Sequence, residues 1–356
     1  MNATGKLQRV KLIGSLWFFL LAAPGWCGQA EEALNEGLKL HDGGKPKEAI
    51  REYDRAVKAN PKLAEAYFNR GNAYFDLGQN EQAIKDYGEA IRLNPKDADA
   101  YFNRGNAYRR LKKDEIALKD YTAAIKLSPE EAKNYINRGS IHFDAGRYES
   151  AVKDFSEAIR INPKEADIYY NRGNSYLALG RNDDAIKDYD QALSLDSKLA
   201  AVYYNRGIAY ASLGEQEKAI RDFSETIQQQ PKNADAYYNR GLANANLGKT
   251  EAAIEDYSES IRLDPKDPEA PYNRGLAYLR VEKYDYAVRD LSEVIRIQPR
   301  NPEAHVYRGI ARLYQGKEKE GDADFQKAFQ LSPGLKKKIQ PIIDEAKAKA
   351  KGSPKE

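Results

Sequence analysis

The sequence predicts an all-α protein, a right-handed α-solenoid superhelix built from tandem helix–turn–helix units. Three observations predict it. First, the tripeptide Asn-Arg-Gly stands at 69–71, 103–105, 137–139, 171–173, 205–207, 239–241 and 273–275, a step of 34 residues with no slippage. Second, the period extends by one copy at each end, through Asn35, Glu36 and Gly37 and through Tyr307, Arg308 and Gly309, which makes nine copies. Third, each copy holds two short runs with apolar residues three and four apart, separated by glycine and closed by proline. The copies start at 30, 64, 98, 132, 166, 200, 234, 268 and 302, and positions below are counted from these starts.

The first 30 residues differ from the rest. They carry Lys6, Arg9 and Lys11 and no acid, then an apolar run over 12–23, then Gly28, Gln29 and Ala30. That order is the anatomy of a secretory signal peptide, so residues 1–30 read as an export signal. Export points to the periplasm or envelope if the source is bacterial. The apolar run is shorter than the roughly 20 residues of a spanning helix. An uncleaved anchor over the same residues is the alternative, and the one route to a membrane. The only Cys, Cys27, follows the bulky Trp26, which disfavours a lipoprotein site. With residues 1–30 set aside, 54 basic and 54 acidic residues remain, a balance unlike that of a nucleic-acid binder.

The repeats occupy residues 30–335. In the copy at 64–97, Tyr67, Gly71, Tyr74 and Leu77 mark one face of a first helix, and Gly78 stops it. Ala83, Ile84, Tyr87, Ala90 and Ile91 mark a second helix, which Asn94 and Pro95 end. Neither helix buries its stripe alone, so neighbouring copies must stack. Small residues at Gly71, Ala83 and Ala90 let the helices approach closely, with tyrosines beside them. After the repeats, residues 336–356 predict a capping helix with a basic tail. Its stripe is Ile339, Ile342, Ile343 and Ala346, with Pro341 in the first turn. A frayed basic tail is the other reading.

This pattern resembles the tetratricopeptide repeat family: an aromatic at position 4, Gly at 8, Tyr at 11, Ala at 20, Tyr or Phe at 24, Ala at 27 and Pro at 32. Departures are local, such as Ser197 for proline, Leu291 and Val294 in the eighth copy, and Arg312 and Gly321 in the ninth. The resemblance implies a concave surface lined by the first helices, through positions 2, 5, 6, 9, 12 and 13.

Several rows of residues run along the copies. Position 7 is Arg from Arg70 to Arg308, and position 23 is acidic throughout. In an antiparallel pair turning near position 15 the two face each other, which suggests structural ion pairs such as Arg172 with Asp188 and Arg206 with Asp222. Two separate solvated faces are the alternative. Position 6 is Asn69, Asn103, Asn137, Asn171, Asn205, Asn239 and Asn273. Asn offers a donor and an acceptor, enough to pair with an extended peptide main chain, or else to tie neighbouring helices together. Position 5 is Phe68, Phe102, Tyr170, Tyr204, Tyr238 and Tyr272, with Ile136 between, and serves either as interface anchor or as packing between repeats. Position 9 is polar early, at Asn72, Asn106, Ser140 and Asn174, and aliphatic late, at Ile208, Leu242, Leu276 and Ile310. Arg109, Arg110, Lys112 and Lys113 read as a receiver for an acidic segment or as a solvated basic turn.

Chemistry-bearing constellations do not emerge. The three histidines, His41, His142 and His305, lie in different copies, and the glycines obey the repeat period rather than phosphate-cradling spacing. The basic clamp that chaperone-binding relatives use is absent, because position 5 is mostly aromatic and position 6 is Asn. The expectation is a non-enzymatic scaffold, without cofactor, that holds an extended peptide or partner protein in its groove. A carbohydrate or cell-wall binding module is one alternative. A subunit that joins a secretion or polymer-export assembly through its convex face is another.

Overall fold

The computed structural model describes residues 26–352, and the signal expected over residues 1–30 lies outside them except at its last few positions. Nineteen helices and no strand occur among the described residues. The chain divides into two compact units, residues 1–138 and 139–356. The first holds α1 (Trp26–Asp42), α2 (Pro46–Ala59), α3 (Ala64–Asp76), α4 (Asn80–Leu93), α5 (Ala98–Arg110) and α6 (Asp114–Leu127). The boundary falls inside α7 (Ala132–Asp144).

The second unit continues with α8 (Tyr148–Ile161), α9 (Ala166–Ala178), α10 (Asn182–Leu195), α11 (Ala200–Ser212), α12 (Gln216–Gln229) and α13 (Ala234–Asn246). After these come α14 (Thr250–Leu263), α15 (Glu269–Arg280), α16 (Tyr284–Ile297), α17 (Pro302–Tyr314), α18 (Glu318–Leu331) and α19 (Leu335–Gly352). Within each unit, successive helices pack in antiparallel pairs and each pair packs on the next, the arrangement of an α-solenoid.

The packing follows from residue size. Ala49, Ala83, Ala117, Ala151, Ala185, Ala219, Ala253 and Ala287, all at position 20, are fully buried. Tyr87, Tyr121, Tyr189 and Tyr257 at position 24 are buried beside them. The glycine at position 8 exists for these rings. A Cβ on Gly71 would lie 2.8 Å from Tyr87 Cε1, and one on Gly207 the same distance from Phe223 Cε1. Such distances allow no side chain without moving a packed ring.

The turn after each first helix is a Schellman motif. Gly78 N–H donates to Phe75 O at 3.0 Å and Gln79 N–H to Tyr74 O at 2.9 Å, with Gly78 at φ +75°. Lys112 and Glu282 adopt the same turn with φ of 56° and 58° although they carry side chains.

Helix α19 packs on α17 and α18, with Ile343 and Ala346 buried against Val306, Leu313 and Phe325. Two expectations are corrected. Ile342 is 47% exposed, because residues 339, 343 and 346 form the buried line and 342 lies about 100° round the helix from 343. Pro341 lies inside the helix rather than in its first turn, since α19 already begins at Leu335. The carbonyl four residues back belongs to exposed Lys337, so the bond that proline removes falls on the solvent side of the helix.

Candidate functional site

The rows read from the sequence converge on the first helices and the contacts each makes with the preceding copy. The arginines come first. Arg172 Nε and Nη2 donate to Asp188 Oδ2 and Oδ1, both at 2.7 Å. Arg206 grips Asp222 in the same bidentate way, with both bonds at 2.7 Å. Equivalent pairs join Arg70 to Asp86, Arg104 to Asp120, Arg274 to Asp290 and Arg308 to Asp324. The acid is nearly inaccessible: the Asp188 side chain is 7% exposed and that of Arg172 20%. Burial holds the Asp188 carboxyl above its ordinary range, against the opposing pull of the Arg172 hydrogen bonds and charge.

The remaining guanidinium nitrogen does something that the sequence reading missed. Arg172 Nη1 donates to Ser156 Oγ at 3.0 Å, on the second helix of the preceding copy. Arg206 Nη1 reaches Asp190 at 2.5 Å, Arg70 reaches Asp54 at 2.6 Å, and Arg138 reaches Thr122 at 3.2 Å. Arg240, Arg274 and Arg308 take Ser224, Ser258 and Ser292. Arg70, Arg172, Arg206, Arg240, Arg274 and Arg308 thus each bridge 16 residues forward and 16 back. The signal was present: position 25 reads Asp, Gly, Thr, Ser, Asp, Ser, Ser, Ser before the eight arginines. Gly88 is the exception, and offers Arg104 no side chain.

The asparagine row divides by what stands at position 9. Asn72 Oδ1 accepts from Tyr87 Oη at 2.8 Å and from Asn103 Nδ2 at 3.0 Å. Asn106 Oδ1 accepts likewise from Tyr121 and Asn137, and Asn174 Oδ1 from Tyr189 and Asn205. Where position 9 is aliphatic, the asparagine turns elsewhere. Asn239 Nδ2 donates to Tyr204 Oη at 3.0 Å and to Asp235 O at 2.9 Å. Asn273 Nδ2 donates to Tyr238 Oη at 3.1 Å and to Glu269 O at 3.0 Å. Asn69 bonds the Glu65 carbonyl at 2.9 Å, and Asn171 lies half-buried on α9. The amide hydrogens of Asn239 and Asn273 are therefore committed within the fold, while their Oδ1 atoms are left as acceptors.

Position 5 rings lean on position 24 rings of the same copy. Centroids are 6.0 Å apart for Phe68 and Tyr87, 5.8 Å for Phe102 and Tyr121, and 6.2 Å for Tyr170 and Tyr189. Tyr204 and Tyr238 pair in the same manner with Phe223 and Tyr257, whereas Tyr272 meets Tyr307 because Leu291 replaces the inner ring. These rings are half-buried, with one edge in the packing and one accessible. Burial pushes the Tyr238 phenol up to about 12, and Tyr121, Tyr189 and Tyr257 higher still. In the basic turn, Arg110 is held by the preceding copy, with its guanidinium 3.6 Å from the Phe75 ring centroid and 3.0 Å from Phe75 O.

Each histidine faces an acid: His41 Nε2 lies 2.9 Å from Asp76, and His305 Nδ1 3.5 Å from Asp324. No group of three or more potential metal ligands occurs among the described residues. No described helix is long and apolar enough to cross a membrane.

Family models described as tetratricopeptide repeats match residues 37–78, 71–112, 139–180 and 173–214, residues 204–268 and 272–335, and residues 98–131. Among solved structures the chain is similar to YrrB, described as a tetratricopeptide repeat protein with an unusual peptide-binding site. The two are 26% identical over 52% of this chain and 96% of that one, with a TM-score of 0.49. A tetratricopeptide repeat protein from Parabacteroides merdae is 21% identical over 67% of this chain and 94% of that one, with a TM-score of 0.50, a likeness of fold. The MamA protein is 24% identical over 48% of this chain and 92% of that one, with a TM-score of 0.46. No curated protein matches the chain.

Proposed function

The chain belongs to the tetratricopeptide repeat family, and on that premise we propose that it is a non-enzymatic scaffold that holds an extended peptide segment of a partner protein along α11, α13 and α15. These first helices are neighbours within the second unit. The observation that carries the reading is the pairing of Asn239 with Tyr204 and of Asn273 with Tyr238. Each phenol oxygen accepts from the asparagine, so its own hydrogen is available to donate. Each asparagine, with its amide hydrogens spent, presents Oδ1. One donor and one acceptor per repeat complement the C=O and N–H of an extended chain.

The reading is narrower than the sequence suggested. In the first unit Phe68 and Phe102 lack a hydroxyl, and the Asn103 and Asn137 amides are drawn onto Asn72 and Asn106. Main-chain recognition therefore falls to the later repeats, where aliphatic Ile208 and Leu242 release the asparagines from that role.

Selection of a random peptide library against the chain tests this. Selected peptides should bind the Tyr204→Phe, Tyr238→Phe double variant about thirtyfold more weakly, since two hydrogen bonds near 1 kcal/mol each are lost while both rings remain. Equal affinity for parent and variant, or no selected peptide at all, would overturn it.

A further inference from the structure

A cleft of about 540 Å³ lies in the second unit between the helix–helix turns of the last two repeats, at Glu282 to Tyr286 and at Gln315 and Lys317. Its volume falls in the roughly 300–1,000 Å³ range of small-molecule sites. Two tyrosines line it, Tyr284 and Tyr286, and each leans on a second ring behind it. Tyr278 and Tyr286 have centroids 5.1 Å apart and planes 30° apart, and Tyr284 and Tyr314 have 5.0 Å and 34°.

Tyr278 is the ordinary position 11 tyrosine of the repeat, but repeat packing does not call for Tyr286 or Tyr314. At the position of Tyr286 other copies carry Glu48, Ser150, Asp184, Lys218 and Glu320, and at that of Tyr314 they carry Asp76, Ala178 and Ser212. Tyr286 is also 54% exposed, the highest value for a large hydrophobic side chain among the described residues. The other copies fold the same turn without it.

We propose that this cleft binds a neutral oligosaccharide of equatorially substituted pyranose rings. The stacking decides between an aromatic platform and a cage. Tyr278 is occupied by Arg274, 5.8 Å from its ring centroid, and by Tyr286, whose own ring is 54% exposed, so the accessible aromatic surface of this stack is that of Tyr286. A flat face suits the C–H face of a pyranose, whereas a quaternary ammonium needs rings enclosing it from several sides. The charges lining the cleft cancel, with Glu282 and Asp285 against Lys283 and Lys317, which favours a neutral ligand. Hydroxyl groups find a directional partner in Gln315. Its Nε2 donates to Asp285 Oδ1 at 2.6 Å, which fixes the amide, and its buried Oε1 has no hydrogen-bond partner. A buried acceptor left unpaired is costly, and a small turn of the Gln315 side chain toward the cleft would let a ligand hydroxyl satisfy it.

This site is separate from the peptide face on α11, α13 and α15, so either reading can fail without the other. Calorimetric titration of the full chain with cellotriose and with chitotriose tests it. Saturable binding of at least one is expected, weakened about tenfold by Tyr286→Ala and largely retained by Tyr286→Phe, which keeps the ring. An unchanged thermal melt of Tyr286→Ala would separate this effect from misfolding, and the Tyr204→Phe, Tyr238→Phe variant should bind the sugars as the parent does. Absence of binding by both sugars would overturn the proposal, as would equal affinity in Tyr286→Ala. Binding of tetramethylammonium or of a proline-rich peptide at this platform in place of sugar would overturn it too.

Discussion

Lys112 holds a φ of 56° where the corresponding turns of most other copies use glycine, for example Gly78, Gly180 and Gly248. A side chain in the left-handed region costs roughly 1–2 kcal/mol, because Cβ crowds the following carbonyl. The motif still forms, with Lys112 N–H on Arg109 O at 2.9 Å and Lys113 N–H on Tyr108 O at 2.9 Å, so the surrounding packing imposes it. Lys112→Gly should therefore stabilise the protein by about 0.5–1 kcal/mol, read as a higher urea midpoint, with glycine's extra unfolded-state freedom limiting the gain. An unchanged or lower midpoint would mean that the turn is not strained. This site was legible without coordinates, since the period places residue 112 in register with the turn glycines. The direction of each asparagine amide was not. Asn103 and Asn239 occupy the same position, yet one bonds Asn72 and the other Tyr204, and the neighbours at positions 5 and 9 of the preceding copy together decide which.

At the level of elements, helix pairs are registered by the arginine and aspartate rows. Removing one partner of a nearly inaccessible ion pair leaves the other charge uncompensated, a loss of about 3–5 kcal/mol when burial is complete. Arg172 keeps some exposure, so Arg172→Leu and Asp188→Asn should each cost about 2–3 kcal/mol in chemical denaturation. If Asp188→Asn is neutral and Arg172→Leu stabilises, the pairing does not set the register. The facing of positions 7 and 23 could be read from an antiparallel pair turning near position 15. The second reach of each guanidinium, to position 25 of the preceding copy, could not. A position that varies among Asp, Thr, Ser and Gly looks like ordinary solvated helix surface until the copies are stacked. Pro341 was misplaced for a related reason: the start of α19 is set by Leu335 packing on the last repeat, a contact between distant segments.

At the scale of the whole molecule, tyrosine dominates, with 25 in the chain. Burial raises Tyr121, Tyr189 and Tyr257 well above the ordinary value and Tyr238 to about 12. A phenol raised in this way holds its proton more tightly folded than unfolded. Its contribution to stability is complete below pH of about 10 and is withdrawn as pH climbs through the folded value. Alkaline titration followed by tyrosinate absorbance should show an early exposed population near pH 10, then a steep second rise coincident with loss of helical circular dichroism. A single smooth titration with helix intact would contradict the buried hydroxyl network. The latch formed by each arginine has a mechanical corollary. Seven of the eight junctions that an arginine could span carry a hydrogen-bonded residue at position 25, and the junction between the second and third copies has Gly88 instead. In an array whose energy adds by nearest neighbours, a chain under tension yields at its weakest link. The Gly88 junction lacks the latch but keeps Asn103 on Asn72 and Arg110 on Phe75, so under load its resistance comes from those contacts and from the packed rings rather than from a doubly bonded guanidinium.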